Sequence, residues 1–375
     1  MKILLTGGGT GGHFYPLIAV AEKINTIADK DRILINKLYY MSDSPYDKAA
    51  LFENGITYVS VIAGKNRLYS SAKNYTDFIK VGIGCLTALL KLFFIYPDVV
   101  FSKGGYASVP ALFAARILGI PVVIHDSDSL PGRVSLWSSK FATRIAISYP
   151  EAIEHFPKEK TALTGQPIRQ EIYKRETTGA FDYWKFDPTL PVVFVIGGSL
   201  GAQTINNTLI DLLPTILQKC QVIHQVGHDN LKDTEGLISI VLDKNVNRDR
   251  YKYFGTFTPL MMKMAAGAAT IVVSRAGSTI FEIANWGLPS IIIPIPEKIS
   301  RDQHHNAFNY ARSGACDVIE EGNLTPSVLG SEIMKLLDNP AKLKSMSDNA
   351  LKFAQPDAAQ NIAQELVRIA IEHEK

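Results

Sequence analysis

The chain begins the same pattern twice. An apolar run at Lys2 to Thr6 passes into Gly7-Gly8-Gly9-Thr10-Gly11-Gly12-His13 and then into Tyr15 to Ala28, where apolar residues recur at three and four. At Val192 to Ile196 a second apolar run leads into Gly197-Gly198-Ser199-Leu200-Gly201-Ala202-Gln203 and a second helical pattern, Thr204 to Cys220. Strand, glycine turn and helix in that order open a parallel βαβ unit. A chain that opens one twice is expected to be α/β, with two doubly wound Rossmann-like domains instead of one continuous sheet. Its 375 residues also exceed what one hydrophobic core usually organises.

Short β-branched runs at Asp98 to Phe101, Val122 to His125, Thr270 to Ser274 and Ser290 to Pro294 supply further strands. Neither periodicity holds between Gly165 and Pro191, a stretch that mixes charge, aromatics, Gly and Pro. The expected organisation is therefore a first domain at 1–164, a linker at 165–191 and a second domain at 192–355. A final helix at 356–375 is expected to pack back on the first domain, and the two halves to face each other across a cleft.

Composition excludes several classes. With 46% hydrophobic and 20% charged residues the chain reads as globular. A formal charge of +3 lacks the strong basic imbalance of a nucleic-acid binder, so no nucleic acid is expected. Cys85, Cys220 and Cys316 lie far apart, with neither a disulfide framework nor metal spacing, which fits a reducing, cytoplasmic compartment. The greasiest stretch, Val81 to Tyr96, contains Lys91 and is shorter than the roughly 18 to 20 residues of a spanning helix.

The glycine runs are the first places to look for chemistry. Glycines let the backbone turn tightly, and a helix N-terminus adds unpaired N–H groups and partial positive charge, so each run suits a phosphate. Neither a dinucleotide fingerprint nor a Walker loop is present. A bare strand-to-helix turn is the simpler reading of the first run. His13, at its exit, suits a general base or an anion-binding imidazole. A third block, Ser274-Arg275-Ala276-Gly277-Ser278-Thr279-Ile280-Phe281-Glu282, opens another helix, and Glu282 is placed to meet vicinal hydroxyls as acids do with ribose. A surface glutamate is the plain alternative. The polar cluster Arg301 to Asn306, which includes Gln303, suits sugar hydroxyls. No metal site is expected, because His304 and His305 point apart and His224 and His228 lack the acid of a zincin pattern.

On a helix from Lys73 to Tyr96, Lys73, Lys80 and Lys91 fall within about 20° of one another along an otherwise apolar surface. Either that helix is mostly buried, or part of it rests on anionic lipid with help from Lys65 and Arg67 just before it.

These motifs together resemble the MurG family of peptidoglycan UDP-N-acetylglucosamine transferases. The likeness runs through the opening glycine run to His13, Gly104 to Tyr106, the stretch ending His125-Asp126, Pro131-Gly132 and Gly165 to Arg169. It continues through the second glycine run, the Ser274 to Pro289 block, Asp302-Gln303 and Asn306-Ala307. The resemblance implies a glycosyltransferase B fold, with acceptor lipid and membrane on the N-terminal domain and UDP-GlcNAc mainly on the C-terminal one. It assigns donor binding to Thr10, Gly11, Gly12, Asp128, Arg169, Ser199, Thr258, Gly277, Ser278, Glu282 and Gln303, with Glu282 on the ribose, Ser199 on a phosphate and Gln303 on the sugar. Tyr106, Lys65, Arg67, Lys73 and Lys80 are the acceptor and membrane candidates. The chain departs from the family pattern at Asp126 and Asp128, where Glu and Asn are usual, at a loop one residue shorter between Arg275 and Glu282, and at Thr258, a position that is typically apolar.

The implied reaction is inverting transfer of N-acetylglucosamine from UDP-GlcNAc, a co-substrate, to the muramyl 4-hydroxyl of undecaprenyl-linked lipid I, with no cofactor. His13 is the first candidate for the base, with Asp126 and Asp128 as alternates. The cytoplasmic face of the cell membrane is the implied location, and cell-wall or division machinery the candidate protein partners. The alternatives are a UDP-sugar diacylglycerol glycosyltransferase, a UDP-GlcNAc 2-epimerase on the same fold, and a non-catalytic nucleotide-sugar-binding subunit.

Overall fold

The structure, a computed structural model, describes residues 1–34, 37–64, 73–197 and 202–374, and for 73–78, 301 and 374 the backbone alone. The chain divides into two compact units, one of residues 1–169 with 355–375 and one of residues 170–354.

The first unit holds seven strands: β1 (Lys2–Thr6), β2 (Lys37–Ser42), β3 (Ile56–Ser60), β4 (Val99–Ser102), β5 (Val122–Asp126), β6 (Arg144–Ile147) and β7 (Thr161–Leu163). They form one parallel sheet in the order β3-β2-β1-β4-β5-β6-β7. Its central strands β1, β4 and β5 are buried at every position but Lys2 and mostly apolar, because both faces are covered. Ile3, Leu5, Val99, Phe101 and Val123 point to the face packed by helices Gly11–Asp31 and Ala358–Glu374. Alternate residues Leu4, Val100, Val122, Ile124 and Ile145 point to the other, where Ala88, Leu92, Ala111 and Leu112 cover them. The C-terminal helix therefore belongs to the first unit's core, through Ile362, Ala363, Leu366 and Ala370.

The second unit repeats the design with β8 (Val192–Ile196), β9 (Gln221–Gln225), β10 (Tyr251–Phe254), β11 (Ile271–Ser274), β12 (Ser290–Ile292) and β13 (Cys316–Val318), all parallel, in the order β10-β9-β8-β11-β12-β13. In each sheet the winding reverses beside its first strand, between β1 and β4 and between β8 and β11. Adjacent crossover connections leave in opposite directions there, which opens a crevice at the carboxyl ends of the strands. The glycine turn after β1 stands at the first of these points, and residues 198–201, which follow β8, lie outside the described residues.

Helix Lys73–Ile95 covers the sheet with one side only. Ala88 and Leu92 are fully buried, and a side-chain carbon on Gly84 would lie 1.9 Å from the Ile62 carbonyl, so the backbones there pack directly. The opposite side exposes Ile79, Ile83, Leu86, Leu90, Phe93 and Phe94, the last at 82%. Lys91 departs from the expected cationic stripe: its Nζ donates to the Ser60 carbonyl at 2.6 Å and braces the helix against β3. Among the described residues no helix is long and apolar enough to cross a membrane.

Candidate active site

In the first unit, the turn after β1 meets the turns after β4 and β5. Thr10 is the N-cap of helix Gly11–Asp31, with extended backbone, and its carbonyl accepts from the amides of His13 and Phe14 at 3.1 and 3.2 Å. Its hydroxyl lies 2.8 Å from His13 Nδ1. The other imidazole nitrogen faces Gly105, where a side-chain carbon would come within 3.7 Å of it and within 3.2 Å of the Gly8 carbonyl. Gly105 also has φ of +78°, so only glycine lets the β4 turn approach the first glycine run this closely. Gly9, at φ +90°, lies against the Tyr106 ring, whose hydroxyl donates to Asp43 Oδ2 at 2.7 Å. Burial, then that carboxylate, raise the Tyr106 phenol, which stays a donor.

Burial first, and the cationic Lys103 second, lower the His13 pKa to about 4. The imidazole is therefore uncharged near neutrality, as a proton acceptor must be. Asp126 is buried and its two oxygens accept from backbone amides, Oδ1 from Asp128 at 2.9 Å and Oδ2 from Gly132 at 3.2 Å. It organises the turn after β5 and carries Asp128 with it. The Arg169 guanidinium lies over the Tyr15 ring at 3.7 Å, which places a cation two residues along the helix from His13.

The second unit supplies a complementary set. Helix Thr279–Trp286 starts at the Ser278 cap, with Glu282 partly buried in its first turn. Gln303, from helix Arg301–Arg312, sits beside Gly277, with its Nε2 3.9 Å from where a side-chain carbon on that glycine would stand, and its Oε1 accepts from the Ile295 amide at 3.4 Å. Asn306 donates to the Ala276 carbonyl at 3.2 Å, pinning the same turn. Thr258 caps helix Pro259–Ala268 by accepting from the Met261 amide at 3.2 Å. The preceding Phe257 stacks on Phe194 of β8 with ring centroids 5.7 Å apart. Ser199 lies outside the described residues, as do Lys65 and Arg67, and Lys73 is described by backbone only.

Thus Thr10, Gly11, Gly12, His13, Tyr106, Asp126, Asp128 and Arg169 belong to one constellation, and Gly277, Ser278, Glu282 and Gln303 to another. Two residues escaped the sequence reading. Arg275 donates to the carbonyls of Ile293 and Pro294 at 3.1 and 3.3 Å and pairs with Glu321, which ties the β11 turn to the segment after β12. Lys103, directly after β4, is 2% exposed; a lysine ending an apolar strand just before two glycines was the available signal. His224, set aside as a metal ligand, is buried between Tyr251, at 2.8 Å, and Asn206, at 3.0 Å.

Two doubly wound parallel units, each with a glycine run following its first strand, are the architecture of the glycosyltransferase B class. The same architecture is found in the MurG of Acinetobacter baumannii, which superposes with a TM-score of 0.73 over 98% of this chain and 99% of that one, at 23% identity. Residues 3–147 match the glycosyltransferase family 28 N-terminal domain and residues 192–362 the glycosyltransferase family 28 C-terminal domain. The chain belongs to glycosyltransferase family 28. It is 36% identical to the UDP-N-acetylglucosamine--N-acetylmuramyl-(pentapeptide) pyrophosphoryl-undecaprenol N-acetylglucosamine transferase of Clostridium kluyveri, over 89% of this chain and 91% of that protein. A Bacillus cereus transferase of the same name, numbered 2, is 33% identical over 97% and 99% of the two chains.

Proposed function

We propose that this chain transfers N-acetylglucosamine from UDP-GlcNAc to the muramyl 4-hydroxyl of an undecaprenyl-pyrophosphoryl acceptor, with inversion, in peptidoglycan synthesis. The observation that carries this reading is the near full-length likeness to transferases of that name, at 36% identity. The geometry of the first unit agrees with it, since an uncharged imidazole stands at the mouth of a glycine turn.

The roles follow from the chemistry. The 4-hydroxyl attacks the anomeric carbon of the donor, the bond from that carbon to the β-phosphate oxygen breaks, and the hydroxyl proton passes to His13 Nε2. Negative charge then builds on the departing UDP. Helix N-termini and the Arg169 guanidinium are the groups suited to stabilise it. Glu282 accepts hydrogen bonds from the ribose hydroxyls, Gln303 and Ser278 read the sugar and phosphate, and Ser199 serves the diphosphate. Thr258, already engaged as a cap, offers its backbone edge to the base. Asp128, carried on the turn that Asp126 holds, lies on the acceptor side with Tyr106.

The acceptor's lipid demands a membrane surface, and the exposed apolar side of helix Lys73–Ile95 supports peripheral attachment through that helix, with Lys65, Arg67, Lys73 and Lys80 toward anionic headgroups. The cytoplasmic face, a role in cell shape and division, and recruitment by cell-wall or division machinery belong to the same reading.

Radiolabelled UDP-GlcNAc offered with lipid I, with diacylglycerol, or alone separates the alternatives. Label on lipid I alone supports the proposal. Label on diacylglycerol, or UDP-ManNAc formed without lipid, would replace it with one of the rivals.

A further inference from the structure

Arg275 stands two residues before Gly277, and its guanidinium meets two other segments of the second unit. One terminal nitrogen, Nη1, donates to the Ile293 and Pro294 carbonyls at 3.1 and 3.3 Å, and the other, Nη2, pairs with the Glu321 carboxylate. Both side chains of that pair are largely buried, at 13% and 17% exposure. A planar fork of donors suits two carbonyls and a carboxylate at once, where a lysine ammonium offers a single point.

The residue after those two carbonyls closes a ring. The Ile295 amide donates to Gln303 Oε1 at 3.4 Å, and Nε2 of the same side chain lies beside Gly277. An amide side chain whose oxygen is taken by a backbone N–H turns its nitrogen the other way. Gln303 therefore faces the glycine turn as a hydrogen-bond donor, and the Ile295 amide decides that orientation. The segment Ile293 to Ile295 aims this amide; Arg275 grips the segment, and Glu321 holds Arg275. The glycine turn has a separate tie, from Asn306 to the Ala276 carbonyl at 3.2 Å. Glu320, next to Glu321, has a carboxylate oxygen 3.5 Å from His304 Nε2, one residue beyond Gln303. Two successive acids after β13 thus reach the turn after β11 and the helix Arg301–Arg312, the two elements that Gln303 bridges.

We propose that the Arg275–Glu321 pair presets the side-chain amide of Gln303, and that this orientation sets the discrimination for the donor sugar. Arg275 and Glu321 are positioning residues that act through Gln303. The inference rests on the reading of Gln303 as a sugar contact. It adds that the reading group is a fixed N–H donor whose aim is held from the turn after β13. Because Asn306 holds the glycine turn independently, loss of the pair loosens the sugar half of the donor site and leaves the nucleotide half in place.

The test uses the full-length protein with lipid I as acceptor and three probes: UDP, UDP-GlcNAc and its 4-epimer, UDP-GalNAc. Calorimetry gives the UDP affinity, and steady-state kinetics give kcat/KM for each sugar nucleotide. In Glu321→Gln, KM for UDP-GlcNAc is expected to rise about ten-fold and the ratio of the two kcat/KM values to fall about five-fold, with UDP affinity within about two-fold. Removing one partner leaves the other charge buried, so Arg275→Met, Glu321→Leu is made beside it. This double replacement removes both charges and is expected to fold and to show the same loss of discrimination. Arg275→Lys, which keeps the charge without the fork, is expected to lose it too. Gln303→Ala is expected to lose the discrimination by itself, and Glu321→Gln added to it to lower the ratio no further. Losses of affinity for UDP and for UDP-GlcNAc in equal proportion overturn the proposal, because they mark a merely structural support. A ratio lost in Gln303→Ala and kept in Glu321→Gln and in the double variant overturns the inference alone. A ratio kept in Gln303→Ala removes the sugar reading of Gln303, and the inference with it.

Discussion

His13 Nδ1 stands 2.8 Å from the Thr10 hydroxyl, three residues back on the same turn. The hydroxyl fixes one nitrogen of the ring, and Gly105, having no side chain, leaves space in front of the other. A ring clamped at one nitrogen and open at the second has the geometry of a proton acceptor. Replacing His13 with Ala is expected to lower kcat by about 10² to 10⁴ while leaving UDP affinity within a few fold. Steady-state kinetics beside calorimetric UDP titration measure both. A variant that loses donor affinity and turnover in equal proportion would place His13 in binding and not in proton transfer.

Glu282 lies in the first turn of helix Thr279–Trp286, next to the Gly277–Ser278 turn. If its carboxylate takes the ribose hydroxyls, Glu282→Ala raises KM for UDP-GlcNAc by roughly ten-fold or more, the worth of a charge-assisted hydrogen bond. The preference for UDP over 2′-deoxy-UDP in competition assays is expected to shrink in the same variant. An unchanged preference would move Glu282 off the ribose.

Leu86 and Phe94 are 61% and 82% exposed on the outer side of helix Lys73–Ile95. Each apolar side chain buried in lipid is worth about 1.5 to 3 kcal/mol. The double replacement Leu86→Ser, Phe94→Ser is therefore expected to weaken partition onto vesicles containing anionic lipid by at least ten-fold without lowering the melting temperature. Vesicle sedimentation alongside thermal denaturation provides the comparison, and undiminished sedimentation would assign membrane contact to another surface.

His224, fully buried, is held by Tyr251 and Asn206 with its pKa lowered to about 3 by burial. Unfolded, it binds a proton near pH 6.5. Between those two values the unfolded chain carries the extra proton, so stability falls as pH drops through the window, by up to about 1.4 kcal/mol per unit from this group. Hydrogen exchange of the β8 and β9 amides is expected to speed up between pH 6.5 and 4 beyond the intrinsic dependence, and the excess to shrink in His224→Phe. An excess of the same size in that variant would trace it to other groups.

The strands, turns and helices nearest the glycine runs were legible because their signals are local. Ile3 to Leu5 and Val192 to Ile196 are apolar throughout, and a glycine run follows each within two residues. The edge strands β3, β7, β10 and β13, and β2, β6 and β9 beside them, were not singled out. β2, β6, β7 and β9 open on the polar residues Lys37, Arg144, Thr161 and Gln221, which leaves short apolar runs, and neighbouring strands supply the hydrogen bonds that make them strands. The helix from Lys73 shows the same limit. Its composition left open whether the apolar surplus faced core or solvent, and the Gly84 contact with the Ile62 carbonyl decides which side is inward.

By itself the sequence determined the two-fold α/β plan, the glycine turns and the presence of His13, Glu282 and Gln303 beside them, since each is a matter of residue type and short-range order. Only the tertiary structure decided that Lys103 is buried beside the first glycine run and tied through Ser127 to Gln166, and that burial, with the Lys103 charge second, leaves the His13 imidazole without a proton. Electrostatic coupling falls with distance and grows with burial, and neither quantity exists until the sheet has brought the ends of β1, β4 and β5 side by side.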